Sequence, residues 1–140
     1  IKIKIIGNIN SFPNLLKMKI KKVEKQSKNK KKIQINMALN YGSRQEILKS
    51  IKLIIKNKRI LNENNVNKHL YTQGIPDPEI LIRTGNTNRL SNFLLWQSAY
   101  TEIFFIKKFW PDFNKRDFFN ILNKYKTITR KFGGLVDRNL

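Results

Sequence analysis

The chain has 140 residues, 40% of them hydrophobic, enough to close the core of one domain and to make extended disorder an unsuitable description. It has no cysteine, which excludes a disulfide framework and a thiolate metal centre, and no apolar run approaches the roughly 18 residues that a membrane span requires. Lys and Arg number 29 against 9 Asp and Glu, a net charge of +20 that ordinarily points to nucleic acid or an anionic membrane; yet Lys, Asn and Ile fill 60 of the 140 positions, and their A/T-rich codons account for part of that excess.

Along the chain, "IKIKIIG" alternates with period two, placing Ile1, Ile3 and Ile5 on one face of a strand that Gly7 ends. A strand at the outset, with Ile1 in first place, reads as part of a longer product. After Pro13, the spacing of Leu16, Ile20 and Val23 predicts an amphipathic helix ending near Ser27. Lys17 to Lys32 holds nine lysines and one glutamate, +8 by itself, and is read either as a solvated helix face with a basic turn or as a patch for lipid headgroups or RNA. "KIQINMALNYG" predicts a second strand, with Ile33, Ile35 and Met37 on one side and a buried run from Met37 to Leu39. Ser43 and Glu46 have capping-box spacing ahead of an Ile47, Leu48, Ile51, Ile54, Ile55 stripe that reaches about Lys58.

A short helix from about Asn65 to Tyr71 precedes Gly74, Pro76 and Pro78. "EILIRTG" is the third strand, "NFLLWQSAY" a helix and "TEIFFIK" the fourth strand. Asn114 and Asp117 open a last helix, with Phe118, Ile121, Leu122, Tyr125 and Ile128 as its stripe and Gly133-Gly134 as its close. Strands alternating with helices predict an α/β fold, a parallel sheet flanked by helices, with ligands bound beyond the strand C-termini.

At that edge, Arg83 ends a predicted strand, where a long cation needs a partner or an opening to water. Arg89 follows the Gly85 turn, and Ser91-Asn92 stand at the predicted start of the next helix. Two guanidiniums, a hydroxyl and a helix N-terminus make a site for a polyanion such as a diphosphate; pairing of Arg83 and Arg89 with Asp77, Glu79 or Asp112 is the scaffold alternative. Glu102, in an otherwise apolar run, could hold a hard divalent cation or neutralise an arginine. His69 is read as a solvent-facing helix residue. Trp96, Trp110 and the phenylalanines are read as core before they are read as the wall of a tunnel. No phosphate-binding glycine fingerprint is present.

"ALNYGSRQEI", then "PDPEILIRTGNTNRLSNFLLWQSAYTEIFFIKKFWPDFNKRDF", then "RKFGG" resemble the C-terminal half of the cis-prenyltransferases, the family of undecaprenyl and dehydrodolichyl diphosphate synthases. The resemblance implies that residues 1–140 are the C-terminal part of one domain truncated at its N-terminus. It also implies a magnesium enzyme that condenses isopentenyl diphosphate with an allylic diphosphate such as farnesyl diphosphate, as a homodimer or as a heterodimer with a related subunit. Arg83, Arg89 and Ser91 fall on the positions that grip isopentenyl diphosphate, and Glu102 on a carboxylate associated with magnesium. Arg130, Lys131 and Gly133 fall on a C-terminal segment that reaches the partner subunit's diphosphate.

Two departures stand out: Lys131 replaces an arginine, and Asn86-Thr87-Asn88 replaces a small residue followed by an acid. The loop carrying the essential magnesium-binding aspartate is expected upstream, so no catalytic residue is assigned here and the fragment alone is expected to be inactive. The resemblance further implies a cytoplasmic setting or peripheral association with the endoplasmic reticulum membrane. A non-catalytic partner subunit and, from the charge alone, a nucleic-acid-binding protein are the alternatives; nucleic acid is not the expected partner.

Overall fold

The structure, a computed structural model, describes residues 1–130. Strand β1 (Lys2–Ile6) pairs in parallel with β2 (Gln34–Ala38), Ile3 opposite Ile35 and Ile5 opposite Met37. The crossover between them is α1 (Asn14–Ser27). Strand β3 (Ile80–Arg83) pairs in parallel with β4 (Glu102–Phe105). The α/β class and the four strands follow the sequence reading, but the described strands form two parallel pairs rather than one continuous sheet.

The pairs belong to two compact units. One comprises Ile1–Pro76 with Asn92–Leu94, the other Asp77–Ser91 with the described residues from Leu95 onward. In the first unit, α1 buries Ile20 and is pinned to β1 by two side chains: Ser27 Oγ accepts from Ile3 N at 3.0 Å and Glu24 Oε1 from Ile5 N at 2.8 Å. These amides point away from β2, so the helix satisfies donors that would otherwise form a bare strand edge. Ile6, rather than Ile1, Ile3 or Ile5, is the buried residue of β1. The expected burial of Met37 to Leu39 is not found: Met37 is 46% exposed, because among the described residues β2 has a strand neighbour only on the β1 side.

Helix α2 (Ser43–Lys56) occupies its predicted place but turns a different face inward. Ser43, Glu46, Ser50 and Ile54 are buried, whereas Leu48 and Ile55 are exposed. The small Ser50 lets α3 (Glu63–Asn67) approach, and its hydroxyl donates to the Val66 carbonyl at 3.1 Å. The expected capping box is absent. Gly42 holds the cap position, and the first amides of the helix are met by Asn92: Ser43 N donates to its carbonyl at 2.8 Å and Arg44 N to its Oδ1 at 2.9 Å.

In the second unit, α4 (Lys115–Lys126) starts with the predicted capping box of Asn114 and Asp117. It ends at Lys126, before Ile128, and not near Gly133-Gly134, which lie outside the described residues. The predicted helix "NFLLWQSAY" does not form. Ser91, Asn92 and Leu94 have φ of +50°, +62° and +45°, and left-handed residues cannot seed a right-handed helix, so the stretch runs as turns.

Candidate anion site

Past the end of β3, the ladder continues into the loop. Ile106 N donates to the Arg83 carbonyl at 2.7 Å, Gly85 N to the Lys108 carbonyl at 2.8 Å and Asn86 N to the Ile106 carbonyl at 3.2 Å. Gly85 and Asn86 are left-handed, at φ +92° and +54°. With Ser91 they make this loop a concentration of conformations that L-residues hold only at a cost of about 1–3 kcal/mol each, a pattern frequent where a backbone is shaped around a ligand.

Arg83 is half-buried, and its Nε donates to Thr87 Oγ1 at 3.0 Å. Among the described residues, its terminal nitrogens make no further hydrogen bond or ion pair. Thr87 is thus a neighbour of the candidate site that the sequence reading passed over: a neutral hydroxyl fixes the guanidinium without cancelling its charge. Arg89 and Ser91 are exposed on the same loop, and among the described residues Arg89 has no ion pair. No hydrogen bond joins Arg83, Arg89 and Ser91 to one another. Of the two lysines after β4, Lys108 is held by Asp117 at 2.8 Å, which keeps that carboxyl below the usual range, while Lys107 is exposed.

The scaffold network considered for Arg83 and Arg89 is made instead by Arg130. Its Nη1 lies 3.5 Å from Glu79 Oε2 and donates to the Tyr125 hydroxyl at 3.2 Å, and its Nη2 donates to the Tyr100 carbonyl at 3.1 Å. Tyr125 in turn donates to Glu79 at 2.5 Å, which raises its pKa. Lys131 and Gly133 lie outside the described residues. Ser91, expected as a helix cap, caps no helix, so the helix-terminus component of the predicted anion site is withdrawn.

Glu102 opens β4 opposite Ile80, and its amide donates to the Glu79 carbonyl at 3.0 Å. The structure does not bring it to Arg83. No group of three or more His, Cys, Asp or Glu that could hold a metal occurs among the described residues. A single half-buried carboxylate fits magnesium only where waters and phosphate oxygens complete the shell. His69 ties its Nδ1 to the Asn65 carbonyl at 2.7 Å, and Trp110, expected in the core, is instead 72% exposed. Among the described residues no helix is long and apolar enough to cross a membrane.

Residues 1–133 match the prenyltransferase family model for undecaprenyl diphosphate synthases. The chain belongs to the cis-prenyltransferase family. It is 42% identical over 142 aligned positions to an isoprenyl transferase of Thermotoga maritima, covering 98% of this chain and 61% of that protein. It is 41% identical to a tritrans,polycis-undecaprenyl-diphosphate synthase (geranylgeranyl-diphosphate specific) of Thermoplasma acidophilum, covering 95% and 54%. Among solved structures, a probable undecaprenyl diphosphate synthase of Campylobacter jejuni superposes with a TM-score of 0.86 at 35% identity, covering 95% of this chain and 63% of the other. The lavandulyl diphosphate synthase of Lavandula x intermedia, in complex with dimethylallyl diphosphate, gives 0.87 at 31%, covering 95% and 60%. This cis-prenyltransferase chain therefore spans just over half to about three fifths of the curated relatives' length.

Proposed function

We propose that the protein carrying this chain condenses isopentenyl diphosphate with an allylic diphosphate, such as farnesyl diphosphate, to build long-chain cis-polyprenyl diphosphates. The observation that carries the reading is Arg83, whose guanidinium is oriented through Nε by Thr87 at the end of β3, while among the described residues its terminal nitrogens have no ion pair or further hydrogen bond. Arg89 and Ser91 on the same loop supply a second charge and a hydroxyl. Together they are assigned the diphosphate of isopentenyl diphosphate, which suits a planar donor fork.

In the reaction, the double bond of isopentenyl diphosphate attacks C1 of the allylic partner. The new C–C bond forms as the allylic C–O bond breaks and diphosphate departs, and loss of a proton from C2 of the isopentenyl unit restores the alkene. The part of this chain is positioning: a fixed diphosphate holds the nucleophilic double bond in one place, and no protein nucleophile is needed. Magnesium, when bound, would stabilise charge on diphosphate oxygens, and Glu102 is the carboxylate assigned to it. The allylic half of the site, including the essential aspartate, is assigned to sequence outside these 140 residues, and the working form to a dimer, with Lys131 and Gly133 reaching the partner's diphosphate and Arg130, tied to Glu79 and Tyr125, bracing the start of that segment.

The test is incorporation of radiolabelled isopentenyl diphosphate by the full-length protein supplied with farnesyl diphosphate and magnesium. Label in a long-chain, acid-labile lipid is the expected result. No incorporation, alone or with a related subunit added, would overturn the assignment.

A further inference from the structure

Helix α1 carries more than its packing against β1 uses. Its inward face carries Lys17, Ile20, Glu24 and Ser27, and Glu24 spends its carboxylate on the Ile5 amide. The only acid of Lys17 to Lys32 is thus engaged with the strand, and among the described residues none of the nine lysines is ion-paired.

The opposite face is not a purely solvated one. Leu15, Met18, Lys22 and Lys25 recur at spacings of three, four and three, which places them on one stripe. Leu15 is 65% exposed and Met18 68%. Lys28, Lys30, Lys31 and Lys32 extend the basic surface past the helix end. A/T-rich codons account for lysine abundance; they do not account for two large apolar side chains standing among lysines on the outward face.

We propose that α1 and the basic turn after it form a docking surface for an anionic lipid bilayer. The lysines meet the headgroup charge while Leu15 and Met18 enter the boundary between headgroups and acyl chains. The chemistry favours lipid over RNA. Residues 14–32 contain no aromatic side chain on which a base could stack and no arginine fork for a phosphate, whereas exposed Leu and Met have no role on a polynucleotide. The surface lies wholly within the first unit and is independent of the diphosphate reading.

Co-sedimentation of the full chain with vesicles of equal phosphatidylglycerol and phosphatidylcholine, against phosphatidylcholine alone, tests the proposal at about 0.15 M salt. Binding to the anionic vesicles only is expected. Lys22→Glu with Lys25→Glu should lower partitioning by about 100-fold or more, and Leu15→Ser with Met18→Ser by about 10-fold at unchanged charge. All four side chains are exposed; should either variant melt early, Lys30→Glu with Lys31→Glu in the turn reads the same charge term. Absence of binding to anionic vesicles overturns the proposal. So does wild-type partitioning by the Leu15→Ser, Met18→Ser variant, or displacement from vesicles by a stoichiometric homopolymeric RNA.

Discussion

Arg83 and Glu102 stand at opposite ends of the β3–β4 pair, Arg83 opposite Phe105 and Glu102 opposite Ile80. Three residue steps of about 3.3 Å separate the two positions along the strands, roughly 10 Å in all. On the proposed reading, the diphosphate fork and the magnesium carboxylate can therefore be disturbed one at a time. In the full-length protein, Glu102→Gln is expected to raise the magnesium concentration for half-maximal activity about 10-fold while KM for isopentenyl diphosphate stays within about twofold. A magnesium titration indistinguishable from wild type would remove Glu102 from the metal.

The Arg83 guanidinium and its threonine should separate in magnitude. Arg83→Ala deletes the charged donors and is expected to raise KM for isopentenyl diphosphate about 10- to 100-fold. Thr87→Val keeps the arginine but frees it from its 3.0 Å hydrogen bond, so a rise of about 3- to 10-fold is expected. Steady-state kinetics at saturating allylic substrate decide the point. If Thr87→Val matched Arg83→Ala, the threonine would be doing more than orienting its neighbour; unchanged kinetics in both would dismiss the site.

The elements that the sequence made legible are those in which one pattern has one structural solution. Asn114 and Asp117 open a helix as their spacing predicts, and the period-two run around Ile3 and the apolar run around Ile82 pair as strands. Ser43 and Glu46 have the same spacing as Asn114 and Asp117, but a three-residue step also places two side chains on one helix face. There the face is buried, and Glu46 takes hydrogen bonds from the Tyr41 hydroxyl at 2.5 Å and the Tyr71 amide at 2.6 Å. "NFLLWQSAY" has the composition of a helix, and only the left-handed backbone at Ser91, Asn92 and Leu94, a property of the folded loop, rules one out. The two arginines of the proposed site are singled out by their place after a strand. Thr87 could not, because a hydroxyl in an Asn-rich turn has no signature until the turn brings it back to Arg83.

The buried Glu46 makes Tyr41 a probe of the first unit. Burial first, then the hydrogen bond to Glu46, pushes the Tyr41 pKa above its usual value of 10.0. A folded-state pKa raised above the unfolded one gives stability that is complete below pH 10 and is lost as pH rises through the folded value. Tyr41→Phe leaves Glu46 short of one donor and is expected to destabilise the chain by about 1 kcal/mol at pH 7. Urea unfolding of both proteins should show that gap narrowing above pH 10. A gap constant to pH 11 would mean that the hydroxyl titrates alike in both states.

Two glycines with left-handed backbone should respond differently to the same substitution. Gly7 has φ +119°, and a Cβ there would lie 2.1 Å from the Leu39 carbonyl oxygen. That carbonyl has little room to retreat, because Leu39 N is bonded to the Ile6 carbonyl at 2.9 Å and Asn8 N to the Asn40 carbonyl at 3.1 Å on either side of it. Gly85, at φ +92°, has nothing within 4 Å of the corresponding position. Gly85→Ala should therefore cost only backbone strain, about 1–2 kcal/mol, and Gly7→Ala that strain plus a backbone clash, about 3 kcal/mol or more. Urea midpoints of the two variants measure the difference. Equal losses would show that the approach of Leu39 to Gly7 relaxes freely, and that φ alone sets the requirement for glycine at both turns.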